Sequence, residues 1–475
     1  MTFNSLAFLA FFAVFYPLYW AVRNRTALRL PLILLGSAVF YGWWDWRFLF
    51  LIAFTGSVDF FMGLLMSRCG ARSFGRKACV FVSLVCGLGS LSVFKYSVFF
   101  ATQIAVILRG LGIEVDLVSH IPQFCLILPV GISFYTFQSL SYTIDVYRGE
   151  LKPTRNPIHY FAYLMLFPQL VAGPIVRASD LLWQIRESPV ISSERCWGGL
   201  KLCIFGFFKK CVIADNLAFY VDTAFANVFM EKHTSFWWVT MIGFAVQIYC
   251  DFSGYSDIAR GLIEMMGYRF GLNFNHPFSA VSIKDFWRRW HISLSSWFRD
   301  YVYIPLGGSR KGVARAVAST WITFLLSGLW HGAGWNFVIW GGVHAFWLMV
   351  ERLTAYPEKL MKMSQTGWGR ALCLLIAQVQ VVSAWVFFRA DNTSEAFHIL
   401  KRMFAFHDFR HGRVGVLAIL MAFAVFELWF ATSLGERIKL RIGRWQFVEP
   451  VLLAILAATA IFFRGEGHAF IYFQF

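Results

Sequence analysis

Apolar stretches approaching the ~20 residues that an α-helix needs to cross a bilayer recur along nearly the whole of this chain. They fall near 5–22, 31–44, 48–66, 78–100, 122–147, 197–222, 234–264, 313–333, 335–351, 371–388, 414–434 and 449–463. A soluble fold could not bury them all. Of 475 residues, 58% are hydrophobic and only 15% charged, and the mean hydropathy is +0.58. The expected architecture is therefore an all-α polytopic membrane protein with about 11–12 transmembrane helices plus re-entrant or interfacial helices. Without an internal repeat or a long linker, residues 1–475 read as a single membrane-embedded domain.

The net charge of +17 would suggest nucleic acid in a soluble protein. Here the cations gather in short loops between apolar runs, which suits membrane orientation and contact with anionic lipids, not nucleic acid. Placing Arg23–Arg29, Arg68–Lys77, Arg148–Arg155, Lys284–Arg315, Lys359–Arg370 and Arg437–Arg444 in the cytoplasm puts both termini outside. Loop 389–413, with Lys401, Arg402, Arg410 and Arg413, then falls on the wrong side. Nine cysteines lie mostly in apolar runs without CxxC pairs, as small core residues rather than metal ligands or disulfides. Residues 5–22 lack a basic lead-in and read as a first spanning helix, not a cleaved signal. The aromatic run Gly42-Trp43-Trp44-Asp45-Trp46 suits an interfacial turn between two spans.

Two segments resist a simple spanning role. Residues 157–177 are broken by Pro168, Gly173 and Pro174, and 283–305 mix aromatics with charges. Such backbone is tolerated at membrane depth only where protein or a wet cavity surrounds it. The second segment holds His291 beside Arg288 and Arg289. Further on, His331 ends an apolar run and opens onto Gly332, Ala333 and Gly334. An ionisable side chain there is a functional candidate, with a hydrogen bond to a neighbouring helix as the plain alternative. A helix from about 313 would carry His331 roughly 27 Å from its cytoplasmic start. His291 would stay near the cytoplasmic face, so the two would mark opposite ends of a passage.

WRRWHISLSSWFRDYVYIPLGG, LSGLWHGAGWNFVIWGGVH, FPQLVAGPIVR (167–177) and QIYCDFSGYSDIARGLIEMMGYRF (247–270) together resemble the membrane-bound O-acyltransferase (MBOAT) family. The likeness is to its bacterial branch, which serves the O-acetylation of alginate, cellulose or peptidoglycan. It implies an MBOAT-like fold and an O-acetyltransferase of the inner membrane, with His331 catalytic and His291 a second important position. It also implies an acetyl-CoA or acyl-carrier thioester as donor, with no permanently bound cofactor. Its partners would be a periplasmic SGNH-type O-acetyltransferase and a polysaccharide synthase or secretion complex.

Acyl transfer to a hydroxyl needs a base, a route for the donor and donors to an oxyanion. An imidazole near neutral pKa suits His331 to the first task. The N–H groups of Gly332 to Gly334, or the Asn336 amide, could face the oxyanion. Arg288, Arg289, Arg299, Arg310 and Lys311 could hold donor phosphate, and Trp290 and Trp330, beside the two histidines, join the binding candidates. His291 would line the cytoplasmic entry, or else pair with Asp285 or Asp300. Asp251 could orient a histidine or bind the donor, while Asp257 reads as a structural partner of Arg260, Arg288 or Arg289. Lys209 and Lys210 read as snorkelling cations, with donor phosphate as the other option.

The ending AFIYFQF (469–475) reads either as an aromatic belt or, by the same resemblance, as a tail whose Tyr472 accepts the acyl group transiently. No Walker loop, dinucleotide fingerprint or GxSxG elbow is present. Two rivals remain: a transporter or channel with a histidine proton relay, which should show paired repeats, and a lipid- or protein-acylating MBOAT.

Overall fold

A computed structural model describes all residues except 71–72, 364–366, 407–413, 432–447, 466, 468–469 and 472–475. Tyr472, the basic stretch Arg437–Arg444 and the end of loop 389–413 lie outside the described residues. Among those described, every regular element is helical. Among the described residues, five helices are long and apolar enough to cross a membrane: 26–45, 48–68, 74–110, 313–331 and 368–389. The protein is an all-α, multi-pass membrane protein.

The chain forms two compact units, residues 1–203 with 258–271, and 204–257 with 272–475. The first holds α1 (Leu6–Val22), α2 (Thr26–Asp45), α3 (Phe48–Arg68), α4 (Phe74–Leu91), α5 (Ser97–Gly110) and α6 (Ile132–Arg148). It continues through the short helices α7 (Pro157–Leu164), α8 (Phe167–Leu170) and α9 (Ala178–Arg186). The tryptophan-rich turn between α2 and α3 is real, and Trp43, Trp44 and Trp46 are exposed there. The 122–147 run is not one helix. Gly131 sits at φ 75° with the Leu170 carbonyl oxygen 2.5 Å from where a Cβ would be, and α6 starts only after it. Segment 157–177 is broken as its prolines require, into two short helices that are almost wholly buried.

Helices α10 (Ser193–Phe207) and α12 (Thr234–Met265) run through both units. A π-helical stretch, Phe208–Ala214, joins α10 to α11 (Asp215–Phe225). The second unit then contains α13 (Ile283–Arg289), α14 (Ile292–Phe298), α15 (Val313–His331) and α16 (Trp335–Thr354). After these come α17 (Tyr356–Met363), α18 (Trp368–Arg389), α19 (Thr393–Met403), α20 (Val414–Ala431) and α21 (Val448–Phe462).

Three residues separate α15 from α16, so the two fold into a hairpin. Two glycines bring the backbones into contact. A Cβ on Gly341 would lie 2.1 Å from the Phe324 carbonyl oxygen, and one on Gly328 would lie 2.2 Å from that of Phe337. Small residues at a helix crossing let membrane helices gain the van der Waals contact that a lipid solvent does not otherwise favour. At Gly342 an added Cβ would meet only side chains at ordinary distance, 3.7 Å. Gly341→Ala is therefore expected to lose roughly 1–3 kcal/mol of stability and Gly342→Ala almost none, as read by thermal melting of the purified protein in detergent.

Candidate active site

The hairpin sets His331 at its closed end, on the last turn of α15, where the residue is buried. Three aromatic rings wall it edge-on: Trp330 at 4.9 Å, Trp340 at 4.9 Å and Phe388 at 5.2 Å between centroids. The N–H groups of Gly332 and Gly334 are committed locally, to Gly328 O at 3.4 Å and Gly332 O at 3.0 Å. Asn336 uses one amide N–H to hold Ala390 O at 2.8 Å, tying the start of α16 to the end of α18. The oxyanion role expected of these groups thus meets competition from their own fold.

His291 is fully buried and takes φ 42°, a left-handed conformation that costs a non-glycine residue ~1–3 kcal/mol and marks a constrained turn. Asn273 organises that turn. Its Oδ1 accepts from Ser293 N (3.2 Å) and Ser293 Oγ (2.9 Å) and lies 3.3 Å from His291 Nδ1, while its backbone carbonyl accepts from Ile292 N. Because Oδ1 can only accept, His291 meets it with Nδ1–H, which leaves the lone pair on Nε2. Burial lowers the His291 pKa well below the usual imidazole range. The carboxylates expected beside it are engaged elsewhere, Asp285 by Arg289 and Asp300 by Arg299.

The two histidines do not stand at opposite ends of a passage. The His291 ring lies 6.3 Å from Trp330, whose indole is also against His331. One side chain therefore bridges them. Helical rise measures separation along α15 alone; between α13 and α14 the chain passes through the left-handed turn at His291, and Trp290 packs 5.1 Å from Trp385 of α18.

A cavity of about 720 Å³ opens between α13, α14, α15 and α16. Its lining includes Lys284, Arg288, Arg299 and Arg352, and along α15 the row Thr320, Thr323, Phe324 and Ser327. That row shares the helix face of His331, four residues beyond Ser327 and hence about 6 Å further along the axis. Arg289 is not among the lining residues. It is held by Asp285 at 2.9 Å and by Ser279 Oγ. Arg310 and Lys311, on a 3₁₀ turn, do not line the cavity either.

Lys209 and Lys210 do not snorkel. Both are buried: Lys209 pairs with Asp257, and Lys210 bridges Asp215 at 2.8 Å and Asp251 at 2.7 Å. Asp251 also accepts the Ile471 N–H at 2.7 Å. It is thus engaged by a lysine and a main-chain amide. Among the described residues no three His, Cys, Asp or Glu side chains gather as metal ligands.

The sequence model of the membrane-bound O-acyltransferases matches residues 151–390, the segment that carries both histidines and the cavity. The chain belongs to this family. A probable alginate O-acetylase of Pseudomonas putida is 39% identical over 86% of this chain and 81% of its own length. A peptidoglycan O-acetyltransferase of Helicobacter pylori is 34% identical, covering 78% of this chain and 73% of that protein. A teichoic acid D-alanyltransferase of Bacillus subtilis is 32% identical over 54% of this chain and 67% of its own.

The protein is thus a membrane-bound acyltransferase, and its site holds residues that sequence reasoning passed over. Asn273 sits in LNFNHPF (272–278), and only the fold shows that one of its asparagines braces His291. Trp340 and Phe388 lie in apolar runs indistinguishable from other core aromatics. Asn273→Ala should reduce acyl transfer at least tenfold while the protein accumulates normally, measured as labelled acyl transfer beside an immunoblot of membranes.

Proposed function

We propose that this acyltransferase takes acetyl from a cytoplasmic thioester, acetyl-CoA or an acyl-carrier protein, and passes it across the inner membrane for O-acetylation of an exopolysaccharide or cell-wall polymer. The observation that carries this reading is the cavity whose polar row on α15 stops one helical turn short of His331. Its cations suit the phosphates of a pantetheine donor, with Arg288 the principal one, and its hydroxyls and aromatic walls suit the arm. The rings of Trp330, Trp340 and Phe388 close in on His331, which suits a small acyl group better than a long one. Relatives named for alginate and peptidoglycan acetylation support acetyl as that group.

His331 acts as general base in this reading, and Tyr472 as acceptor. The tyrosine oxygen attacks the thioester carbonyl as its proton passes to the imidazole, and a C–O bond forms. The C–S bond breaks, and the imidazolium returns the proton to the departing thiolate. The resulting tyrosyl ester holds the acetyl group for a periplasmic transferase, which delivers it to sugar. His291, across Trp330 from His331, positions the donor end of this path.

Cells producing His331→Ala at parental abundance should lose polymer O-acetylation. Tyr472→Phe should do the same and carry no labelled acetyl. Full acetylation in the His331 variant would remove the reading. Arg288→Gln should raise the KM for acetyl-CoA severalfold with little change in melting temperature. Arg289→Gln, which breaks the Asp285 and Ser279 contacts, should instead lower thermal stability.

A further inference from the structure

The stretch after α21 is fastened to the second unit at two points. At the first, Gly465 N–H donates to Cys211 O at 2.9 Å, while Asn216 Nδ2 donates to Phe463 O at 3.0 Å. The fit is tight, since a Cβ on Gly465 would fall 2.7 Å from the Asp215 backbone. At the second, Ile471 N–H donates to Asp251 Oδ2, while Lys210 holds Oδ1 of the same carboxylate. Phe470 and Ile471 are both buried. The Phe470 ring packs 5.6 Å from Phe252, and Phe252 packs 4.6 Å from His291.

We infer that Asp251, oriented by Lys210, is the receptor that holds residues 470–471 against Phe252 and the buried His291, and that the acyl relay depends on this clasp. This rests on the relay proposed above. The charges explain why a lysine is needed there. A buried carboxylate that receives a main-chain amide must itself be compensated, and Lys210 does this while also neutralising Asp215. The Ile471 N–H dipole at Asp251 Oδ2 adds to that compensation. Asp251 thus acts as a positioning residue and not as the donor ligand or histidine partner that its sequence context suggested.

The test uses amide hydrogen exchange on the full-length protein in detergent, followed by mass spectrometry of a peptide covering 463–475. Asp251→Ala leaves Lys210 paired with Asp215, and Asp251→Asn keeps an acceptor oxygen in a near-isosteric side chain, so a folded variant is available even if the first does not accumulate. We expect exchange in this peptide to quicken at least tenfold in Asp251→Ala and by less in Asp251→Asn, with α15 and α16 unchanged. Labelled acetyl on Tyr472 should fall in the same order. Unchanged exchange overturns the receptor role. So does rapid exchange with full Tyr472 labelling, because the clasp would then have no bearing on transfer. If the parent protein itself carries no label on Tyr472, the relay reading fails, and the exchange arm alone decides whether Asp251 is the receptor.

Discussion

The contact of bare backbone between α15 and α16, at Gly328 and Gly341, is what the candidate site depends on. A lipid solvent offers no hydrophobic gain for pressing two apolar helices together, so their association rests on close packing. The two glycines supply it. They let Trp340 of α16 lie 4.9 Å from His331 and equally close to His344 one turn on. Side chains at these glycines would separate the helices and widen the space around the imidazole. The edge-on rings around His331 and the part of the cavity wall formed by α15 and α16 follow from that crossing.

Around the hairpin, neighbours in sequence take different tasks because of helix geometry. Arg288 and Arg289 are adjacent, yet on α13 successive residues point about 100° apart. One lines the cavity and the other closes the helix onto Asp285. His344 shows the same economy of placement. It is fully buried, and its Nδ1 receives the Trp287 indole N–H at 3.4 Å, which steadies a tryptophan of the cavity wall.

Among the described residues of the second unit, the buried Lys209, Lys210, Asp215 and Asp251 all meet counter-charges, whereas the buried Glu351 is held by the N–H groups of Ile283 and Lys284. Lys209 with Asp257, Lys210 with Asp215 and Asp251, and Arg389 with Asp222 are all paired. Removing ions from water is costly enough that snorkelling, the default for a lone lysine in an apolar run, gives way once carboxylates lie within reach. The pairing also moves Asp251 from a candidate ligand to an anchor for residues 470–471.

Hydrophobic run length, loop charge and the glycine–histidine blocks sufficed to settle the helical, membrane-spanning class, because a bilayer leaves a chain so few options. They were enough, too, to place His331 at a helix end and to separate the runs 313–333 and 335–351. Distances between segments were another matter. Helical rise predicts separation only along one helix, and His291 is reached through a left-handed turn and two short helices whose direction is decided by packing on Trp385. Asn273 and Phe388 carried no distinguishing signal, and Lys210 read as a snorkelling cation. Their roles come from partners some tens of positions away, and such partners exist only once tertiary packing brings the segments together.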